Sequence, residues 1–388
     1  MILPSICEIS NWQTKIVFVR ASINVPLTET GEIADDYRLE RILPTLHYLV
    51  DQEAIVIIIA HQGREKTEHL QAVYERLKQE IELDFFENFF AQDFDASLEK
   101  LREWIAQAEA GAVVLLDNVR ATDKEKANDE DMASKLALLG ELYINEAFAA
   151  SHRKHMSLDA LPRKCTRALA GFTCSEEVEN LQIALEPRRG SVAIIGGNKA
   201  STKLPLIRQL LDSYEAVYVG GALANTLYKL AGYEIGRSVY EDKLDEDTQE
   251  LAHLLLGDAR LILPSQVVCE DSKGEVRTKD ISLVAPDDAI YDIATEDITN
   301  FIDARIDAPL LVWNGPLGYL EGGYKQGTIA LAEKIKEISG ESIVGGGNTI
   351  DLLREHNLDQ HIDFLSTGGG AMIHYLTHKS LPALYALH

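Results

Sequence analysis

Short apolar runs alternate along the chain with stretches that carry apolar residues at helical spacing, and this predicts strands and helices in turn. In the first half, strands are predicted at 15–20, 54–60, 111–116 and 142–148. Helices are predicted at 36–50, where Pro44 implies a kink, at 69–81 and at 132–139. Most of the strand runs are continuously apolar, which is typical of parallel strands buried on both faces. The pattern therefore predicts a parallel sheet covered by helices on both sides.

A second series of the same kind follows a helix predicted at 175–184, with Ser175 as its N-cap and residues 187–190 as its end. Its strands are predicted at 192–197, 216–221, 261–264, 310–316, 342–348 and 364–371. Four of these six stretches contain two or three consecutive glycines where the strand ends. One such pair is ordinary in a tight turn, but ligands bind at the carboxyl ends of parallel strands. The repetition favours a nucleotide or a similar ligand in this half.

Residues 191–203 (SVAIIGGNKASTK) combine the features of a phosphate-binding loop. Gly196 and Gly197 follow an apolar strand, and Lys199 and Lys203 precede a helix predicted at 204–214 with Pro205 in its first turn. Loop amides, a helix N-terminus and lysines all attract phosphate. The spacing is not that of a P-loop, so an ordinary strand-to-helix turn with surface lysines remains an alternative at this point.

The first half places basic residues after its strands instead of glycines. They are Arg20, His61, Arg64, Arg120, His152, Arg153 and His155, and Arg38 stands at the start of the first helix. Any one of them taken alone is best interpreted as a solvated surface residue. Because parallel strands end at one edge of a sheet, they are expected to converge there. Together they predict a basic cup for a small polyanion.

Composition limits the classes of partner and location. A chain of 388 residues predicts two domains. Its formal net charge of −25 argues against nucleic acid or an anionic membrane as a partner. Four cysteines without CxxC or zinc-site spacing, and no basic, apolar leader, predict a reduced cytoplasmic protein. No apolar run has the length of a membrane span.

Ten motifs, in order and at matching spacing, give the chain a resemblance to phosphoglycerate kinases over almost its whole length. They are VRASINVP (19–26), DDYRLERILPT (35–45), AHQGR (60–64), LLDNVR (115–120), NEAFAASHRKHMS (145–157), GGNKASTK (196–203), GYEIGRS (232–238), VWNGPLGYLE (312–321), GGGNT (345–349) and STGGGA (366–371). The resemblance implies an α/β protein of two doubly wound, parallel-sheet (Rossmann-like) domains joined by an interdomain helix, with a hinge cleft that closes to exclude water.

By this resemblance, residues 1–173 form the domain for 3-phosphoglycerate, 174–187 the interdomain helix and 188–370 the nucleotide domain. Residues 371–388 would pack back on the first domain. The implied reaction is phosphoryl transfer between 1,3-bisphosphoglycerate and ADP, giving 3-phosphoglycerate and ATP. The implied cofactor is Mg²⁺ with ATP or ADP, and the implied assembly is a monomer.

The resemblance also implies roles for individual residues. The implied catalytic residues are Arg38, Lys199 and Gly369. The implied substrate-binding residues are Ser22, Asn24, Arg38, His61, Arg64, Arg120, His152 and Arg153. The implied nucleotide-binding residues are Lys199, Lys203, Gly221, Asn314, Glu321, Gly346, Gly347, Thr349, Gly368, Gly369 and Gly370, with Asn348 at a weakened Mg²⁺ site.

Three positions depart from the family pattern, which has aspartate where this chain has Ser22, Thr202 and Asn348. Mg²⁺ prefers carboxylate, so the metal is expected to bind more weakly. Three interpretations follow: a slower phosphoglycerate kinase, a non-catalytic relative that binds nucleotide or phosphate as a sensor or interaction protein, and a kinase for a different acid whose altered pocket is marked by Ser22.

Overall fold

Two six-stranded sheets organise the chain. The computed structural model describes residues 3–63 and 65–387, so the predicted substrate ligand Arg64 lies outside the described residues. It divides into one unit that runs to Glu179 and resumes at Ser380, and a second unit of Asn180–Lys379. None of the helices in the described residues has the length and hydropathy needed to cross a membrane.

The first unit contains a wholly parallel sheet in the order β3-β4-β2-β1-β5-β6. Its strands are β1 (Ile16–Ala21), β2 (Ile55–Ile59), β3 (Asp84–Phe86), β4 (Val113–Leu116), β5 (Leu142–Glu146) and β6 (Arg167–Ala170). Its helices are α1 (Tyr37–Asp51), α2 (Gln71–Leu77), α3 (Phe94–Gln107), α4 (Asp123–Lys126), α5 (Glu130–Ala137), α6 (Leu161–Lys164) and the start of α7 (Phe172–Leu185).

The second unit contains a wholly parallel sheet in the order β15-β14-β13-β7-β8-β9 and a three-stranded antiparallel sheet in the order β11-β10-β12. Its strands are β7 (Val192–Ile195), β8 (Ala216–Val219), β9 (Leu261–Ile262), β10 (Gln266–Glu270), β11 (Val276–Asp280), β12 (Ala289–Ile293), β13 (Leu310–Asn314), β14 (Glu341–Gly345) and β15 (Phe364–Ser366). Its helices, after α7, are α8 (Ala200–Leu211), α9 (Gly221–Leu230), α10 (Glu246–Leu256), α11 (Thr295–Asp303), α12 (Gln326–Ile335), α13 (Gly347–Glu355) and α14 (Gly369–His378).

The predicted fold class is confirmed, and all ten predicted strands exist. Strands β3 and β6 and the antiparallel sheet were not predicted. The reason is clearest for β11, whose residues VRTKD are mostly exposed and carry no apolar run. The continuous apolar strands β2, β4 and β7 are buried along their whole length, as their sequences predict.

Two helix starts were predicted wrongly, and both for the same reason. Helix α7 begins at Phe172, so Ser175 is not its N-cap; the amides of Thr173 and Cys174 donate instead to the Glu146 carboxylate, each at 3.3 Å. Helix α8 begins at Ala200, and the Ser201 amide in its first turn donates to the Glu241 carboxylate at 2.9 Å. Pro205 therefore lies inside the helix and not in its first turn. A carboxylate distant in sequence thus satisfies first-turn amides that local capping signals do not reveal.

The C-terminal residues from Ser380 onward belong to the first unit, where the Ala383 amide donates to the Ser151 carbonyl at 3.0 Å. Ala383 packs with Ala147, Ala150 and Leu158. Helix α14 belongs to the second unit and packs against α8, so the return to the first unit begins nine residues later than position 371.

Candidate active site

Four helices of the second unit begin directly after strands of its parallel sheet. The N-cap residues are Lys199 for α8, Gly220 for α9, Gly346 for α13 and Gly368 for α14. The preceding strands β7, β8, β14 and β15 are parallel, so these helix N-termini lie at one edge of one sheet. Helix N-termini carry partial positive charge and free N–H groups, so this edge is suited to phosphate.

The glycines at this edge allow backbones to approach closely. Gly346 has a φ of +115°, a conformation that residues with a side chain rarely adopt. A Cβ atom on Gly369 would lie 2.9 Å from the Cα atom of Gly346. The starts of α13 and α14 therefore contact each other through backbone atoms. An ordinary strand-to-helix turn would not need glycine for such a contact between two helices.

Lys203 is a buried lysine beneath this edge. Its Nζ donates to the carbonyl of Gly196, to the carbonyl of Asn314 at 3.3 Å and to the Asn314 side-chain oxygen at 3.2 Å. It forms no ion pair within residues 3–63 and 65–387, and burial lowers the pKa of Lys203 to about 8. A buried cation with only neutral partners is prepared for an anionic ligand.

A pocket of about 600 Å³ lies beside this edge, and it has largely apolar walls. Gly197, Gly221, Tyr228, Val239 and Leu317 contribute to its lining. Its size and its apolar surface are suited to a nucleobase and ribose.

Glu321 and Asn348 also line this pocket, and the Asn348 side-chain nitrogen donates to the Glu321 carboxylate at 3.2 Å. Asp292, another lining residue, is almost fully buried, and burial raises its pKa to about 6. The exposed Lys199 lies outside the pocket at the start of α8.

The remaining predicted nucleotide residues lie at the starts of α13 and α14. Gly346, Gly347 and Thr349 belong to the first, and Gly368, Gly369 and Gly370 to the second. The buried hydroxyl oxygen of Thr349 has no hydrogen-bond partner among the described residues. Three lining residues were not predicted as site residues: Tyr291 and Asp292 from the antiparallel sheet, and Tyr319 from the loop after β13.

The first unit contains a basic pocket of about 580 Å³. Its described lining brings together the predicted Ser22, Asn24, Arg38, His61, Arg120, Arg153 and His155, and adds Lys126. No carboxylate side chain is found among the described lining residues. Two predictions differ from this result: His152 accepts a hydrogen bond from Arg153 at 3.1 Å but does not line the pocket, and Arg20 lies buried beneath it.

Hydrogen bonds fix the loops that form the basic pocket. Arg38 donates to the Asn24 carbonyl, the Gly63 amide donates to the Asn24 side-chain oxygen, and Arg120 donates to the Gly63 carbonyl, each at 2.6 Å. Burial, together with the nearby cations Arg153 and Arg20, lowers the pKa of Arg120 to about 10. The clustered positive charges therefore repel one another in the free protein, and an anionic ligand would relieve that repulsion.

A buried polar network supports the pocket from below. Arg20 donates to the Ser157 hydroxyl at 2.7 Å, and Ser157 donates to the Glu125 carboxylate from its hydroxyl at 2.7 Å and its amide at 2.9 Å. The ring of His155 lies 3.6 Å from the same carboxylate. The buried Glu125 carboxylate is thus the anion that balances the buried Arg20 guanidinium.

His61 is held neutral at the top of this network. Burial, and then the positive charge of Arg20 and Arg120, lowers the pKa of His61 well below its usual range. Its Nδ1 lies 2.9 Å from Arg20, which can only donate, so Nδ1 is the acceptor. The ring proton is therefore on Nε2, and His61 offers the pocket an N–H donor without adding charge.

One parallel-sheet unit has a pocket suited to an acidic ligand, and the other has a pocket and an edge suited to a nucleotide. These are the two kinds of site expected of a kinase that acts on a small acid. The family model of phosphoglycerate kinases matches residues 7–379, and the chain belongs to that family. The family predicted from the ten motifs is thereby confirmed.

The relatives cover nearly the whole chain. The phosphoglycerate kinase of Coprothermobacter proteolyticus is 35% identical over 386 residues, covering 97% of this chain and 96% of its own. That of Legionella pneumophila is 36% identical over 385 residues, with coverage of 96% and 94%.

Solved structures agree with this assignment. Phosphoglycerate kinase from Coxiella burnetii superposes with a TM-score of 0.81 at 31% identity, covering 99% of this chain and 98% of its own. The enzyme from Pyrococcus horikoshii gives a TM-score of 0.86 at 25% identity, with the same coverage.

Proposed function

We propose that the chain catalyses reversible phosphoryl transfer between 1,3-bisphosphoglycerate and ADP, giving 3-phosphoglycerate and ATP. The observation that carries this proposal is membership of the phosphoglycerate kinase family across residues 7–379. The polycationic pocket and the glycine-lined edge supply the two kinds of binding that the reaction needs.

The basic pocket of the first unit is proposed to bind the phosphorylated acid. Arg120 and Arg153, with Arg64, would hold the substrate phosphate, and His61 would donate from Nε2. Arg38, tied to the loop at Asn24, would approach the reacting carboxyl end. Guanidinium groups suit this task because they bind carboxylate and phosphate in a planar, two-point geometry.

The glycine-lined edge of the second unit is proposed to bind the nucleotide. The neighbouring pocket would take the base and ribose, with Glu321 near the ribose. The amides of α13 and α14, including that of Gly369, and the buried Lys203 would hold the phosphates. Lys199 would contact the transferred phosphoryl group.

The chemical step needs no nucleophile from the protein. A carboxylate oxygen of 3-phosphoglycerate attacks the γ-phosphorus of ATP, the bond to the β,γ-bridging oxygen breaks, and ADP leaves. Charge accumulates on the equatorial oxygens, so the protein acts by positioning and by preorganised positive charge. Arg38 and Lys199 are the side chains proposed to supply that charge.

The donor set fits a magnesium ion that arrives with the nucleotide. The described residues contain no group of three or more His, Cys, Asp or Glu side chains able to hold a metal. The Asn348 amide oxygen is a neutral ligand of the kind that Mg²⁺ accepts beside phosphate oxygens. Bound Mg²⁺ would neutralise phosphate charge, and Asn348 would hold it less firmly than a carboxylate.

Asn348→Asp is expected to lower the magnesium concentration for half-maximal activity by about tenfold, because a charged ligand replaces a neutral one. Activity measured against Mg²⁺ concentration at constant total ATP tests this. Asn348→Ala is the matched control and should raise the requirement. Equal half-saturation in the aspartate variant and the unmodified chain would contradict a ligand role for Asn348.

Nucleotide binding is expected to take up a proton near pH 8.5, because phosphate would raise the lowered pKa of Lys203 (about 8) and recharge the amine. Calorimetric titration with ADP in two buffers of different ionisation enthalpy measures this uptake. Lys203→Met should abolish it. Buffer-independent heats for the unmodified chain would refute contact between Lys203 and phosphate.

The same lowered pKa has a consequence for stability. Between pH 8 and the ordinary lysine range the unfolded chain binds more protons at this site than the folded one. The contribution of Lys203 to the free energy of unfolding therefore rises with pH through that window.

A coupled assay tests the function directly. The chain, ATP, Mg²⁺ and 3-phosphoglycerate should give 1,3-bisphosphoglycerate, measured by its NADH-dependent reduction with glyceraldehyde-3-phosphate dehydrogenase. Background activity that Ser22→Asp with Asn348→Asp does not increase would instead favour a non-catalytic relative.

A monomeric state and a cytoplasmic location stay predictions, and sedimentation of the purified chain would test the first.

A further inference from the structure

The basic pocket of the first unit is rich in hydrogen-bond donors and poor in acceptors. Arg38, Arg120, Arg153 and Lys126 line it, and guanidinium and ammonium groups can only donate. Lys126, at the end of α4, is exposed and makes no ion pair within the described residues. Carboxylate and phosphate groups of a ligand therefore find strong partners here.

A ligand hydroxyl finds much weaker ones. Among the described lining residues the side-chain oxygens are those of Ser22 and Asn24, and no carboxylate is present. The Asn24 side-chain oxygen already accepts from the Gly63 amide at 2.6 Å. The backbone carbonyls of Asn24 and Gly63 already accept from Arg38 and Arg120.

Ser22 thus offers the lining side-chain oxygen that still accepts no hydrogen bond, and it is the nearest equivalent of a hydroxyl-binding group in the described lining. It is 5% exposed, lines the pocket, and its hydroxyl has no hydrogen bond within the described part of the chain. A hydrogen bond to a neutral hydroxyl contributes roughly half as much free energy as one to a charged carboxylate. A ligand that lacks the hydroxyl leaves only this neutral group unpaired, and not a charged one, so it loses no more than one neutral hydrogen bond.

We infer that this pocket selects its acid by the anionic groups and not by the hydroxyl, so that three-carbon phosphorylated acids without the 2-hydroxyl group are also substrates. The simplest is 3-phosphonooxypropanoate, which keeps the phosphate and the carboxylate of 3-phosphoglycerate. This inference rests on the proposed function, since it concerns the specificity of the same site.

The step on the new substrate is the same transfer. Its carboxylate oxygen attacks the γ-phosphorus of ATP, the bond to the bridging oxygen breaks, and ADP and an acyl phosphate form. Hydroxylamine then attacks the acyl carbon, releases inorganic phosphate and leaves a hydroxamate, which is measured as its coloured iron complex. The same readout serves both acids.

The first experiment measures binding, which does not depend on turnover. The dissociation constants of 3-phosphoglycerate and 3-phosphonooxypropanoate for the full chain are compared by calorimetry. We expect them to agree within about tenfold, the range of one neutral hydrogen bond. A preference for the hydroxylated acid of more than about 100-fold, or failure of the analogue to bind, would overturn the inference.

Two variants of Ser22 test the physical cause. Ser22→Asp introduces the missing charged acceptor, and the preference for 3-phosphoglycerate should rise to about 100-fold. Ser22→Ala removes this neutral acceptor, and the preference should fall toward one. An unchanged preference in both would overturn the role of Ser22, and the two variants differ in charge, so one of them remains informative if the other does not fold.

Turnover separates this inference from the proposed function. Hydroxamate from both acids, with kcat/KM values within about tenfold, supports both statements. Hydroxamate from 3-phosphoglycerate alone supports the proposed function and overturns the inference. Equal binding of both acids without hydroxamate from either supports the inference about recognition and contradicts the proposed kinase activity.

Discussion

Lys199→Ala is expected to lower kcat by about 100- to 1000-fold, the loss found when one preorganised charge donor is removed from a transition state. Lys199 is the N-cap residue of α8 at the glycine-lined edge of the second unit. It is exposed, and its side chain has no partner within the described residues. Lys203 and the amides of α13 and α14 would still hold the bound nucleotide. The KM for ATP should therefore change by less than about threefold.

Steady-state kinetics over a range of ATP concentrations measure this split. Lys229→Ala is the matched control, because Lys229 is also exposed but lies in the last turn of α9, at the end of that helix away from the glycine-lined edge. It should leave both constants unchanged. A rise in KM without loss of kcat in Lys199→Ala would refute its role in transfer.

Glu125→Ala is expected to destabilise the first unit by about 3–5 kcal/mol, because it leaves a buried cation without its counter-ion. Glu125 and Arg20 are both fully buried and joined through Ser157. Burial lowers the pKa of Arg20, and the charge of Glu125 opposes that change. Burial by itself would raise the pKa of Glu125, but hydrogen bonds from His155 and Ser157 and the charge of Arg20 together lower it. The stability from this carboxylate is present at neutral pH and is lost as pH falls through its lowered pKa.

Urea unfolding followed by tryptophan fluorescence tests this. In a Trp313→Phe background the signal comes from Trp12 and Trp104, both in the first unit. Glu130→Ala is the matched control, because Glu130 pairs with Lys164 at the surface and such pairs contribute less than about 1 kcal/mol. Equal losses in the two variants would show that burial of the Arg20 charge is not the cause.

The fold was largely predictable because its central strands are continuously apolar. Such runs as IVIII in β2 and VVLL in β4 have no alternative to burial on both faces, whatever the rest of the chain does. The helix starts at α7 and α8 were not predictable in this way. Their first-turn amides are satisfied by Glu146 and Glu241, which lie 27 and 40 positions away in the chain.

The site was predictable only in part. Strand exits in a parallel sheet share an edge, so His61, Arg120 and Arg153 could be grouped from their positions alone. Lys126 could not, because it follows charged residues in the sequence DKEK, which is typical of a solvated surface. Glu125, one position earlier, is fully buried, and nothing in that run distinguishes the two.

The sequence by itself determined the family, the two parallel sheets and the residue types at each strand exit, because motif order, apolar periodicity and strand polarity are all written along the chain. The tertiary structure alone decided which charges are buried and which face the pocket. It also decided that Arg20 supports the pocket from below, that Lys203 has only neutral partners and that Ser22 is left as an acceptor. These properties depend on groups that meet only on folding, and the cost of burying a charge is set by those neighbours.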